Sequence, residues 1–146
     1  MKYIMALAII GLALFSLSAK VKVYTKNGAA ISGFDTVSYF TEGKAVQGNN
    51  KFSTEHNGAT WHFSSEENLK LFKAKPEKYL PEYGGYCAYG LGDGGYLAPV
   101  DPTAFKILDE RLFLNYSHSI NKKWLKKTDY YIDRGDKAWK AKYQKN

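Results

Sequence analysis

The sequence predicts an α+β domain: a small antiparallel sheet with hairpins, packed against several short helices and a helical C-terminus. Three observations predict it. Asn57-Gly58 stands between two runs of alternating apolar and polar residues, the pattern of a two-residue hairpin turn. A second pair of apolar runs, 104–108 and 112–115, flanks Asp109-Glu110-Arg111 and reads as another hairpin. After residue 64, and again after residue 119, the apolar spacing becomes helical.

The chain opens with an export signal. Met1-Lys2-Tyr3 is a short basic start, residues 4–17 carry no charge, and Leu17-Ser18-Ala19 is a small-residue exit. Those are the three parts of a cleavable secretory signal. The apolar run is shorter than the roughly 20 residues a spanning helix needs, so cleavage after Ala19 is expected rather than anchoring. Residues 20–146 then form one exported domain, periplasmic or secreted, with no transmembrane segment. Both methionines, Met1 and Met5, lie in the signal, so a Met-rich copper site is excluded. Cys87 is the single cysteine, so the fold stands on packing without an internal disulfide.

Each element follows in turn. Residues 21–24 alternate and read as a short strand, with Lys26-Asn27-Gly28 as a turn. Residues 36–40 form a short helix or turn, and 44–50 a polar loop. In the Asn57-Gly58 hairpin, His56 should face Ala59, Thr54 face Trp61, and Phe52 face Phe63, all on one largely apolar side. Ser53, Glu55, Thr60 and His62 take the polar side. Ser64 with Glu67 fits a capping box for a helix over 65–74. Pro76 starts a second short helix through Tyr79. Tyr83, Tyr86, Cys87 and Gly90 fall at helical spacing, and Gly84-Gly85 leaves room for another backbone. Residues 91–95 read as a glycine-rich loop. The C-terminal helices carry two apolar stripes, Ile120/Trp124/Leu125 and Tyr131/Ile132/Ala138/Trp139/Tyr143.

Charge is unevenly placed. The net charge is +7, yet residues 20–119 hold as many acidic as basic side chains. The excess of the exported part sits in the last 27 residues, which carry nine basic residues against Asp129, Asp133 and Asp136. Export argues against a nucleic-acid partner. The two remaining readings of this tail are the solvated face of packed helices, and a surface for an anionic partner or membrane.

Two stretches resemble the YHS domain family. One is Phe63-Ser64-Ser65-Glu66-Glu67-Asn68 followed by Leu71-Phe72-Lys73-Ala74-Lys75-Pro76-Glu77-Lys78-Tyr79. The other is Ile31-Ser32-Gly33-Phe34-Asp35-Thr36-Val37-Ser38-Tyr39-Phe40, similar to the family's opening element. Tyr83-Gly84-Gly85-Tyr86-Cys87-Ala88-Tyr89 places the likeness with a secreted, single-domain branch. The resemblance implies a small α+β domain and a metal-binding role. Many such domains carry one Cys in the opening element and two more, four residues apart, at the helix start. In this sequence those positions fall on Ser38, Ser64 and Asn68, so a three-thiolate site for a soft metal is not carried over.

No nucleophile elbow, phosphate loop or His-Glu zinc motif appears, so the sequence reads as a binding module and not an enzyme. The expected function is binding of a small ligand, with a transition metal, copper or zinc, as the class the resemblance implies. The expected ligand pocket is built by Tyr83, Tyr86, Cys87 and Tyr89, and the expected metal donors are Cys87, His62 and His118. Tyrosine rings with a thiol also describe an ordinary core, in which Cys87 is a buried, inert small hydrophobe.

Overall fold

The computed structural model describes residues 21–144; the segment expected to be an export signal, residues 1–19, lies outside them. Elements follow in the order β1 (Thr25–Lys26), β2 (Ala29–Ala30), a 3-10 turn (Ile31–Gly33), α1 (Ser38–Thr41), β3 (Asn49–His56), β4 (Ala59–Phe63), α2 (Glu66–Ala74) and α3 (Pro76–Tyr79). A second 3-10 turn (Glu82–Gly85) leads to α4 (Ala88–Gly94), β5 (Asp101–Leu108), β6 (Arg111–Asn115), α5 (His118–Leu125) and α6 (Thr128–Lys142). This is the expected α+β mixture. The strands form three separate antiparallel ribbons, β1-β2, β3-β4 and β5-β6, rather than one sheet.

The β3-β4 ribbon owes its register to its turn. Asn57 and Gly58 both have positive φ, at 52° and 74°, as a mirror-image turn requires. His56 pairs with Ala59 and Thr54 with Trp61, as expected. Burial alternates along β4, with Ala59, Trp61 and Phe63 inside and Thr60 and His62 half-buried. The Trp61 indole N–H donates to the His56 carbonyl at 3.0 Å, and its ring stacks on Phe72 of α2. The expected Phe52–Phe63 pair does not form. A bulge between Asn49 and Ser53 shifts the register, so Phe63 faces Asn49, and β3 begins inside the segment read as a loop. The bulge inserts residues 50–52 between two pairs that are adjacent on β4, and an irregularity of this kind leaves no mark on a pattern of period two.

Other local expectations move by one residue or change type. Residues 21–24 form no strand, which begins only at Thr25; Tyr24 instead donates its N–H to Gly84 O. The α2 cap is Ser65, whose side chain accepts from Asn68 N, and not Ser64 with Glu67. Phe72 is the buried residue of α2, while Leu71 stays exposed. The second hairpin turns on two residues, Asp109 and Glu110, both with positive φ.

The segment around Cys87 departs most from its reading. Tyr83 and Gly84 lie at positive φ, and Tyr86 is extended, so no helix joins Tyr83 to Gly90. Gly84 nevertheless does what its missing side chain allows: a Cβ there would stand 1.9 Å from Lys22 O. The glycine-rich stretch is the helix α4, not a loop. Gly92 lets α4 lie directly on α6, since a Cβ would reach Tyr131 O at 2.5 Å. Helix propensity disfavours glycine, but close packing against a second helix outweighs that small cost.

The basic tail is built into this packing. Arg134 Nε donates to Gly92 O at 2.8 Å, and Lys142 Nζ and the Tyr143 hydroxyl donate to Gly95 O. These donors satisfy the carbonyls at the C-terminal end of α4 and complement its dipole. Trp124 and Trp139 are buried, as their stripes predict. Among the described residues, no helix is long and apolar enough to cross a membrane.

Candidate functional site

The most organised polar feature of the molecule surrounds Asp35. It sits between the first 3-10 turn and α1 and has no exposed surface. Oδ1 accepts the backbone N–H groups of Val37 and Ser38 at 2.9 and 3.2 Å, a local turn that aspartate forms readily. Oδ2 accepts the Ser64 N–H at 2.8 Å, the Ser64 hydroxyl at 2.7 Å and the Asn68 side-chain amide at 2.8 Å. The Asn68 amide also donates to the Ser38 hydroxyl at 3.3 Å. Five donors thus compensate the burial of one carboxylate, which otherwise costs several kcal/mol. Next to it, the Thr36 hydroxyl donates to Tyr79 O and ties the opening element to α3.

This knot joins Ser38, Ser64 and Asn68, the positions at which thiols are expected from the resemblance. An open cleft of about 340 Å³ lies beside it, lined by Thr41, Glu42, Ser64, Ser65, Glu67, Asn68 and Leu71. In the sequence Asp35 stands within the opening element with no role attached to it. The available signal was an aspartate two and three residues ahead of backbone N–H groups at a helix start. Its long-range partners are 29 and 33 residues away, beyond any local pattern.

The expected pocket residues each find different partners. Tyr83 is buried and donates its hydroxyl to Asp136 Oδ1 at 2.8 Å; burial and that bond raise its pKa. Asp136 is held in turn by Arg111, which also grips Glu82 at 3.0 Å. Tyr86 packs edge-on against Tyr24. Tyr89 lies against Tyr131, with the Lys123 ammonium 5.0 Å from its ring centre. Tyr83 lines a small cavity of about 120 Å³ with Trp61, Leu80 and Trp139, and none of the other three expected pocket residues reaches it.

Cys87 is 1% exposed. Its thiol faces Asn115 Oδ1 at 3.6 Å, and its sulfur accepts the Tyr116 N–H at 3.3 Å. Burial pushes the thiol pKa up, against smaller opposing contributions from the backbone N–H groups of Gly90, Tyr116 and Tyr89. His62 is half-buried on the polar side of β4 and lies close to Gly33. His118 begins α5 on the surface, with Nε2 2.8 Å from the Thr103 hydroxyl and 3.9 Å from Asp101. The fold does not bring Cys87, His62 and His118 together. Among the described residues, no group of three or more His, Cys, Asp or Glu could hold a metal ion.

Comparison with curated proteins and with solved structures finds no match. A family model, that of the YHS domain, matches residues 37–83, the stretch that runs from the edge of α1 to Tyr83 and carries Ser38, Ser64 and Asn68.

Proposed function

We propose that the chain is an exported binding module with a YHS-type core, and that it captures a small ligand in the cleft beside Asp35. One observation carries this reading: the segment matched by the YHS model supplies Ser38, Ser64 and Asn68, which gather at the buried carboxylate of Asp35 two residues before it, with an open cleft beside them. The knot fixes the cleft wall, and rigid walls lower the ordering cost of binding. Hydroxyls, an amide and the carboxylates of Glu42 and Glu67 offer oxygen donors to a cationic ligand. A metal ion is the first candidate class, because the family match favours metal handling. Oxygen donors disfavour copper(I) and suit divalent ions, the harder ones best; copper(II) and zinc are the divalent ions that the resemblance implies. A site at Cys87 would require Asn115 and Tyr116 to release the sulfur.

Calorimetric titration of the exported chain with copper(II) and with zinc tests the proposal. Saturable binding is expected, weakened on the order of tenfold by Glu67→Gln and unchanged by Cys87→Ser. Absence of heat with both ions overturns the metal assignment. Loss of binding only in Cys87→Ser moves the site to the thiol.

A further inference from the structure

Three cations of the C-terminal helices are engaged by the fold. Arg134 and Lys142 close the end of α4, and Lys137 pairs with Asp133 at 2.9 Å. Lys122, Lys123, Lys126 and Lys127 do neither. All four are exposed where α5 ends and α6 begins. The ion pairs among the described residues use none of them. Lys123 leans over the Tyr89 ring. Asp129 is the only carboxylate in residues 122–130, and it stands in the first turn of α6, where it complements the helix dipole.

Apolar groups protrude among these lysines. Lys122, Leu125 and Lys126 stand three and four residues apart and share one face of α5, away from the buried Trp124. Leu125 is 40% exposed, and Tyr130, just beyond the turn, is 52% exposed with Arg134 over its ring. Four close ammonium groups repel one another, and an exposed leucine among them gains nothing from water. Both features become favourable at an anionic bilayer. Lysines meet the headgroup phosphates, while a leucine and a tyrosine settle at the boundary with the acyl chains.

We propose that the α5–α6 turn docks the protein on the surface of an anionic phospholipid bilayer, with Lys122, Lys126 and Lys127 supplying charge and Leu125 and Tyr130 supplying insertion. Charge complementarity selects an anionic partner, and the apolar knob between the charges selects a bilayer over a nucleic acid. The docking is independent of the cleft beside Asp35, on the other side of the sequence.

Vesicle sedimentation tests it, using the chain without residues 1–19, since that apolar run would itself partition into lipid; the core that the structure describes runs from Tyr24 to Trp139. The probes are vesicles of phosphatidylcholine alone and of phosphatidylcholine mixed with phosphatidylglycerol. Binding is expected only to the mixed vesicles and should weaken with salt. The triple variant Lys122→Gln/Lys126→Gln/Lys127→Gln should lose about a hundredfold in partitioning. Leu125→Ala should lose about threefold or more while keeping its salt dependence. Circular dichroism should be unchanged in both. Equal binding of the triple variant overturns the proposal. So does unaltered binding of Leu125→Ala, which would mark a purely electrostatic surface for an acidic macromolecule.

Discussion

Asp35 and Ser64, 29 residues apart, are joined by two hydrogen bonds to a single carboxylate oxygen: Oδ2 accepts the Ser64 N–H at 2.8 Å and its hydroxyl at 2.7 Å. The pair pins the start of α1 to the end of β4. The same oxygen takes the Asn68 amide, so the opening element, the hairpin and α2 meet at one atom.

Removal of that carboxylate should therefore be costly. Asp35→Ala strands the buried N–H groups of Val37 and Ser38 and the half-buried Asn68 amide, while the donors of exposed Ser64 can turn to water, and it is expected to lower unfolding free energy by about 3–5 kcal/mol. Asp35→Asn keeps the shape but turns one oxygen into a donor facing other donors, and should cost a large part of the same amount. Urea titrations of the two variants and the parent measure this. A loss below about 1 kcal/mol for Asp35→Ala would show that the knot is not a structural hub.

The β3-β4 register predicts opposite outcomes for neighbours. Trp61 is 1% exposed and stacked on Phe72, so Trp61→Ala should cost about 3–5 kcal/mol. His62, on the other side of the ribbon, should cost under about 1 kcal/mol when replaced by Ala. A denaturant series that ranked them the other way would place the strand one residue out of register.

Two glycines of α4 should respond differently to alanine. At Gly92 the new Cβ meets the Tyr131 backbone, so Gly92→Ala must push α4 from α6, at about 1–3 kcal/mol. At Gly94 it meets only the ring of Tyr96, at 2.9 Å, a side chain that is 44% exposed and has solvent to shift into. Gly94→Ala should be neutral or slightly stabilising, because alanine is the better helix former. Melting temperatures of the two variants separate these outcomes.

Cys87 should react with a thiol reagent at least about a hundredfold more slowly in the folded chain than in urea, since attack must wait for local opening. The same burial makes stability fall at alkaline pH. The folded thiol and the buried Tyr39 and Tyr83 hydroxyls have raised pKa values, mainly through desolvation. The unfolded chain therefore releases these protons first. Their contribution is complete below about pH 8.5, and it declines as pH rises through the unfolded values near 8.5 for the thiol and about 10 for the tyrosines toward the higher folded ones. Cys87→Ala should remove the early part of that decline and leave the tyrosine part. A parent stability that is flat from about pH 8 to about pH 11 would contradict the assignment.

Elements set by local rules were legible in the sequence. The Asn57-Gly58 turn, the apolar alternation of β4, the Pro76 helix start and the Trp124 and Trp139 stripes each depend on residues within a few positions of one another. So does the room at Gly84-Gly85, which the structure fills with the Lys22 carbonyl. Tertiary structure alone decided the rest. Gly92 gives α4 a poor helical propensity, and only the approach of α6 makes a helix of it. Tyr83, Tyr86 and Cys87 share a helical period, yet the backbone turns to positive φ at Tyr83 and scatters them among different partners. The hub of the candidate site had the same origin: the resemblance marks Ser38, Ser64 and Asn68, but their gathering on Asp35 spans 29 and 33 residues, and a buried charge must collect whatever donors the fold can bring to it.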